Sequence, residues 1–245
     1  MPELSVVIPT YNEKDNIGLL IAKIAEALQG IDYEIVVVDD RSPDGTGEVV
    51  EKLARTGQPV RLITKPQKEG IGAALRLGYK SCTTPIIAST DADLSFDPQD
   101  LHRLYEAVRA GQDLVTGTRH SKNSFYETPN RAIWTKHLVS LVGNRTLRTL
   151  TGIPLDDFTA NFRAFTKTVW DAIETEENTN SLLFEMILKA YVKGYSVAQI
   201  PVAFHDRRFG SSKLRLSLEA PKFFVKLVKY LWRYHRVLLR RRLKR

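Results

Sequence analysis

Ile86-Ile87-Ala88-Ser89-Thr90-Asp91-Ala92-Asp93-Leu94 runs from a short apolar segment straight into two carboxylates one residue apart. An apolar segment of this length, without polar alternation, reads as a strand covered on both faces, the pattern of a parallel sheet sheltered by helices. The carboxylates then stand at the carboxyl end of that strand, where ligands gather in open α/β sheets. Two adjacent negative charges in such a place repel each other and resist desolvation unless a cation or hydrogen-bond donors compensate them. A divalent cation with hard oxygen ligands, Mg2+ or Mn2+, bound together with a nucleotide diphosphate, suits the pair. Asp-x-Asp alone is also an ordinary solvated turn before a helix, so the neighbouring segments have to decide.

The same strand-then-helix grammar extends in both directions. Leu4 to Ile8 precedes a helical apolar spacing at Ile17, Leu20, Ile21, Ile24 and Leu28; Glu34 to Val38 precedes Gly47 to Leu53; Val60 to Ile63 precedes Gly70 to Tyr79; and Pro98 to Val108 follows the quoted strand. These βα units predict a mostly parallel sheet flanked by helices. After Leu114 to Thr116 comes a polar stretch, Arg119 to Asn130, read as a mobile loop. A helix over about 131–150 follows, then a compact stretch with a helix near 182–191 and strands near 197–204. Residues 1–214 are expected to form one domain and 215–245 a basic amphipathic C-terminal helix.

The chain has 245 residues, 43% of them apolar and 26% charged, enough to bury one core and too apolar for a disordered chain. No stretch approaches the roughly 18 apolar residues that span a bilayer, and the single cysteine, Cys82, excludes an internal disulfide. These features predict a cytoplasmic protein. The net charge of +8 suggests nucleic acid until it is located: Lys222 to Arg245 holds ten Lys and Arg with no acid, leaving 26 bases against 28 acids in the preceding 221 residues. The body is therefore slightly acidic, and no nucleic-acid partner is expected.

Two further strand ends converge on the same edge, Pro9-Thr10-Tyr11-Asn12-Glu13 and Asp39-Asp40-Arg41-Ser42-Pro43-Asp44. They offer an aromatic face, amides and carboxylates, which suit a base and a ribose. Gly70-Ile71-Gly72 opens a helix but follows the third strand and has Leu75 at the third glycine position, so it reads as close backbone packing and not as a dinucleotide motif. No Walker-type phosphate loop is present. A nucleotidyltransferase lacks its Gly-rich basic loop here, and a non-catalytic basic module leaves Asp91 and Asp93 unexplained.

Val6 to Glu13, Val38 to Thr46, Lys68 to Ala74, Asp91 to Leu94 and Gly117 to Arg119, taken in order, resemble the motifs of family 2 inverting glycosyltransferases. Within that family the chain looks similar to dolichol-phosphate mannosyltransferases and other polyprenyl-phosphate glycosyltransferases, from about residue 4 to 214. The resemblance implies a GT-A fold, a GDP- or UDP-sugar donor and a divalent cation. Pro9, Tyr11, Glu13 and Asp40 resemble the family's nucleotide pocket, and Asp91 and Asp93 its metal and diphosphate site. Arg119, Arg131 and Arg207 resemble cations that hold donor and acceptor phosphates, and Phe209 to Leu214, with Ser212 and Lys213, looks like its Gly-x-Ser-Lys loop. Three departures stand out: Ser95 where a Gln often helps hold the metal, His120 for a usual Tyr, and Asn161 for a common Gly in the segment Asp157 to Arg163.

The expected activity is transfer of one sugar from a nucleotide sugar to polyprenyl phosphate at the cytosolic membrane face; the alternative acceptor is a sugar hydroxyl of a growing glycan. Breaking the bond to a nucleoside diphosphate develops negative charge that Asp93 with its metal, Arg207 and Lys213 can stabilise. A phosphate acceptor is already ionised at pH 7, whereas a hydroxyl acceptor needs a base, for which Asp157 is the candidate. In the tail, Phe224, Leu227, Val228, Leu231, Leu238 and Leu239 share one helical face, with Lys222, Lys226, Lys229, Arg233, Arg236 and Arg240 opposite. A helix of that kind suits an anionic membrane surface; the other reading is a helix packed on the body or on a second subunit.

Overall fold

Strand and helix alternate through the first half of the chain: β1 (Leu4–Thr10), α1 (Lys14–Ala27), β2 (Tyr33–Asp39), α2 (Thr46–Arg55), β3 (Val60–Thr64), α3 (Ile71–Ser81), β4 (Ile86–Ser89), α4 (Asp100–Arg109) and β5 (Leu114–Thr118). The second half holds β6 (Phe125–Tyr126), α5 (Arg131–Thr151), β7 (Arg163–Thr166), α6 (Lys167–Ala172), α7 (Ser181–Lys193), β8 (Val197–Pro201), β9 (Ala203–Phe204) and α8 (Leu216–Leu243). The structure, a computed structural model, describes residues 1–127, 131–205 and 216–243, and of 131–133, 136 and 216–222 the backbone alone.

Seven strands form one sheet in the order β3-β2-β1-β4-β7-β5-β8, and β6 pairs with β9 in a small second sheet. The apolar strands are buried because successive side chains enter opposite cores. Leu4, Val6 and Ile8 of β1 join the cluster with Ile17, Leu20 and Leu104, while Val7 joins the other with Tyr79, Phe165 and Leu183. The Gly70 and Gly72 reading is borne out: a Cβ at either would meet the Asn178 backbone, at 2.5 and 2.6 Å.

One strand departs from the parallel pattern. β7 lies antiparallel between β4 and β5, with Ser89 opposite Arg163 and Thr116 opposite Arg163 on its other side. The Arg163 side chain is fully buried, and its guanidinium donates to the carbonyls of Ala160 and Leu183, which makes the burial tolerable. The polar stretch after β5, expected to be a mobile loop, carries hydrogen bonds and a short strand of its own. Ser124 donates to the Thr118 carbonyl at 2.5 Å, and Phe125 and Tyr126 pair with Ala203 and Phe204; residues 128–130 lie outside the described residues.

Helix α8 divides its apolar residues between two directions. Leu227, Tyr230 and Leu238 are buried in the core cluster, and the Tyr230 ring meets Phe184 edge-on at 6.2 Å. Three of the helix's cations pair with acids of the body: Lys226 with Glu177, while Lys229 and Arg233 reach Glu176 at 3.1 and 2.9 Å. Phe224, Val225, Val228, Trp232 and Leu239 remain exposed. The packed stripe makes α8 part of the body's stability: Leu227→Ala is expected to cost about 2–5 kcal/mol. Urea unfolding checks this, and an unchanged midpoint would show that α8 is not docked as described.

Candidate active site

The carboxyl ends of β1, β2 and β4 meet at one edge, and the backbone there is strained. Among the described residues, Asn12, Arg41 and Leu94 are the non-glycine residues with left-handed φ, at 57°, 56° and 60°. Each follows one of these three strand ends. A bulky Leu in that region costs about 1–2 kcal/mol, so the surrounding contacts must hold it, and strain of this kind clusters at functional sites.

Hydrogen bonds between the β1 and β2 ends supply the holding. Buried Asp39 accepts from Thr10 Oγ1 at 2.9 Å, from the Ser42 amide at 2.7 Å and from Ser42 Oγ at 2.6 Å. Asp44 accepts from the Thr46 amide and hydroxyl and from the Lys14 amide, and Ser42 Oγ accepts the Asn12 amide at 2.8 Å. Both aspartates therefore shape the loops that present Pro9, Tyr11 and Glu13. Asp40 forms a buried ion pair with Lys65 at 2.9 Å, which Lys65 shares with Glu69 at 3.3 Å. Lys68 places its ammonium 3.5 Å from the centre of the Tyr11 ring. Lys68 opens the Lys68 to Ala74 motif, whereas Lys65 is marked in the sequence only by its place just past β3, whose carboxyl end shares this edge.

Asp91 and Asp93 stand where β4 ends. Asp93 is buried, and its Oδ1 accepts the Ser95 amide at 3.0 Å; Asp91 Oδ1 accepts Asn161 Nδ2 at 2.9 Å. The Ser95 carbonyl accepts the His205 amide at 2.8 Å, tying this loop to the end of β9. No cluster of three or more His, Cys, Asp or Glu poised for a metal occurs among the described residues. Two carboxylates one residue apart nonetheless fit a hard cation that takes its remaining oxygens from a diphosphate and water.

Asp157 and Arg119 form the other half of the site. Arg119 Nε reaches Asp157 Oδ2 at 2.6 Å and Nη2 reaches Oδ1 at 3.0 Å; Nη2 also donates to Thr159 Oγ1. The Thr159 amide and hydroxyl both donate to Asp157 as well. Burial by itself would raise the Asp157 carboxyl, but the Arg119 charge and these hydrogen bonds outweigh it and bring it down to about 2. The His120 imidazole lies 4.0 Å from Asp157 and bonds Ser140 at 2.9 Å. Burial, helped by the Arg119 charge, takes it down to about 4 despite Asp157, so it is neutral at pH 7.

Of the other residues singled out from sequence, Arg131 has only its backbone described, at the start of α5, and Arg207, Ser212 and Lys213 lie outside the described residues.

A testable pH dependence follows from His120. Its folded value of about 4 lies below the ordinary 6.5, so between these the unfolded chain binds more protons and stability falls as pH falls. His137, also depressed by burial and Arg119, adds in the same direction. The urea midpoint is expected to decline from pH 6.5 towards 4, and His120→Phe to flatten part of that slope. An identical slope in the variant would rule out this origin.

The family model "Glycosyl transferase family 2" matches residues 5–173. A dolichol-phosphate mannosyltransferase of Pyrococcus furiosus is 36% identical over 87% of this chain, which spans only 59% of that relative's length. A polyprenol monophosphomannose synthase of Mycolicibacterium smegmatis is 34% identical, over 85% of this chain and 80% of its own. Among solved structures, glucosyl-3-phosphoglycerate synthase from Mycobacterium tuberculosis, in complex with Mn2+, UDP and glucosyl-3-phosphoglycerate, superposes with a TM-score of 0.70 at 19% identity, covering 96% of this chain and 80% of its own; it shares the GT-A fold. The match of the family model over more than half of the chain, with a 34% identical relative covered to 80% of its length, places this protein in glycosyl transferase family 2.

Proposed function

We propose that the protein transfers a mannosyl group from a nucleotide sugar to a polyprenyl phosphate at a membrane surface, assisted by a divalent cation held at Asp91 and Asp93. The two relatives' names supply the mannose and the lipid phosphate. The observation that carries the acceptor class is the state of Asp157. A carboxylate brought down to about 2 and gripped at both oxygens by Arg119 is a poor proton acceptor. A hydroxyl acceptor needs a base there. A phosphate monoester, with a second pKa of about 6, is already a nucleophile at pH 7.

The reaction forms a bond from an acceptor phosphate oxygen to the anomeric carbon while the bond from that carbon to the diphosphate oxygen breaks on the opposite face. The nucleoside diphosphate leaves with the bonding pair, and no proton has to move. The bound cation would neutralise the charge that develops on the leaving group. Tyr11, with Pro9, Glu13 and Asp40, orients the nucleoside, and Arg131, Arg207, Ser212 and Lys213 serve the phosphates of donor and acceptor. Arg119 acts by fixing Asp157 and the loop entering β6, since its Nε and Nη2 are already engaged.

Purified protein incubated with Mn2+, polyprenyl phosphate and a panel of GDP- and UDP-sugars is expected to yield mannosyl-phosphoryl-polyprenol by mass. Asp93→Ala should lower that turnover by about a hundred-fold or more. Transfer to free glycan hydroxyls with the lipid phosphate ignored would overturn the acceptor assignment.

The membrane reading rests on two neighbouring helices. Among the described residues no helix is long and apolar enough to cross a bilayer. Helices α5 and α8 pack together, and Arg242 of α8 reaches the Thr149 carbonyl of α5. Both leave large apolar side chains in water: Trp134, Leu138, Val139 and Val142 on α5, and Phe224, Val225, Val228 and Trp232 on α8, with Trp232 79% exposed. Exposed aromatic and aliphatic groups beside Arg236 and Arg240 match an anionic headgroup layer, and residues 1–214 would be the catalytic body that this surface docks. Phe224→Asp combined with Trp232→Asp is expected to reduce sedimentation with anionic liposomes several-fold, leaving the unfolding midpoint in place. Equal binding by variant and parent would remove α8 from the membrane contact.

A further inference from the structure

We propose that Asn161 is a positioning residue for Asp91, and that Ser89 and Tyr79 behind it complete a buried relay controlling how tightly the donor nucleotide is held. This deepens the reading above and rests on the donor role given there to Asp91. The antiparallel ladder pairs Ser89 with Arg163, and continued by two residues it brings Asp91 abreast of Asn161. There Asn161 Nδ2 donates to Asp91 Oδ1 at 2.9 Å. Behind the amide, Ser89 Oγ donates to Asn161 Oδ1 at 2.9 Å, and the Tyr79 hydroxyl donates to Ser89 Oγ at 2.8 Å.

The direction of every proton in this relay is fixed. An ionised carboxylate only accepts, so Asn161 must present its NH2 to Asp91, and its carbonyl then accepts from Ser89. The single Ser89 proton is thereby committed, which leaves Tyr79 as the donor to Ser89. Burial pushes the Tyr79 phenol up to about 12, so that proton is present across the working range. Tyr79, Ser89 and Asn161 are each at most 2% exposed, whereas Asp91 is half-buried at the mouth. The three buried groups thus form a chain that ends on one carboxylate oxygen at the site, and the two behind it fix the amide that orients Asp91. Asn161 is absent from the residues with left-handed φ, so its backbone is ordinary and its contribution here is the side chain.

A hydrogen bond that only ties β4 to β7 would affect stability and leave donor binding alone. The two roles separate in a double-mutant cycle read by titration calorimetry with Mn2+ and GDP, repeated with UDP. Asn161→Ala is expected to weaken nucleoside diphosphate binding about five- to ten-fold, as for a lost bond to a charged group that water partly replaces. In an Asp91→Asn background the same substitution should change affinity less than two-fold, and in steady state the donor KM should rise while the acceptor KM stays put. Normal binding by Asn161→Ala beside weak binding by Asp91→Asn would overturn this inference and leave the site reading intact. Normal binding by Asp91→Asn would overturn both. Equal losses in both backgrounds would show a merely structural role and also overturn it. If Asn161→Ala fails to fold, Ser89→Ala, which unties the amide carbonyl and the Tyr79 hydroxyl but leaves the Asn161–Asp91 bond, should give a smaller loss with the same dependence on Asp91; no loss would refute the relay.

Discussion

A carboxylate at the end of a buried strand has to be given donors or a cation, and the carboxyl edge of this sheet carries five such groups. Asp39 is met by Thr10 and Ser42, Asp40 by Lys65, Asp91 by Asn161, Asp93 by the Ser95 amide, and Asp157 by Arg119 and Thr159. Most of these donors come from a different strand or loop than the acid they serve. Satisfying the charges therefore also stitches the loops together, and it holds Asn12, Arg41 and Leu94 in left-handed conformations that an unsupported chain would leave. Preorganisation and stability are the same set of hydrogen bonds here, and Asp91 and Asp93 are the pair proposed to take a cation and a diphosphate in addition.

The elements legible in the sequence are those whose signal is local. β1, β2 and β4 announce themselves as unbroken apolar runs, and α1 by its helical spacing, because each contributes to a core on both sides or along one stripe. β7 has no such signal. It is four residues long, begins with a buried Arg163 that is satisfied only by carbonyls of other segments, and runs against its neighbours. Its absence from the sequence reading matters because the chain entering it carries Asp157, Thr159 and Asn161. Asp157 could be picked out as chemically interesting, but its partner lies 38 residues away, and only the fold shows that the carboxylate is already committed.

The tail illustrates a different limit. Helical periodicity correctly separates apolar from basic residues in α8, yet it cannot say which part of a broad apolar arc meets protein. That depends on Phe184 and on the acids Glu176 and Glu177, which lie some fifty residues earlier in the chain. Glu176 is brought down to about 2 by its hydrogen bonds to Arg233 and Lys229. The acids draw one basic row of α8 onto the body while Leu227, Tyr230 and Leu238 enter the core. This rotation leaves Phe224, Val225, Val228 and Trp232 facing outward, on a helix already packed against α5. An exposed apolar surface is thus carried on a helix whose other side is part of the core, so its orientation relative to the strand ends is set by packing.

The pairing of Arg119 with Asp157 has a consequence for the chemistry that neither residue suggests alone. Separately, the arginine reads as a phosphate clamp and the aspartate as a base. Together, in a site where His120 is also kept neutral by burial, they form a closed group with little basicity and little net charge to offer. On the proposed reading the reaction draws its nucleophile ready-ionised, and the cations that meet its charge come from other residues than Arg119. A phosphate monoester satisfies the first condition without help from the protein, because its second ionisation, near pH 6, precedes neutrality. On that reading the task reduces to bringing two anions together, which is eased where the site's acids already have donors or cations beside them, since every uncompensated acid would repel the acceptor.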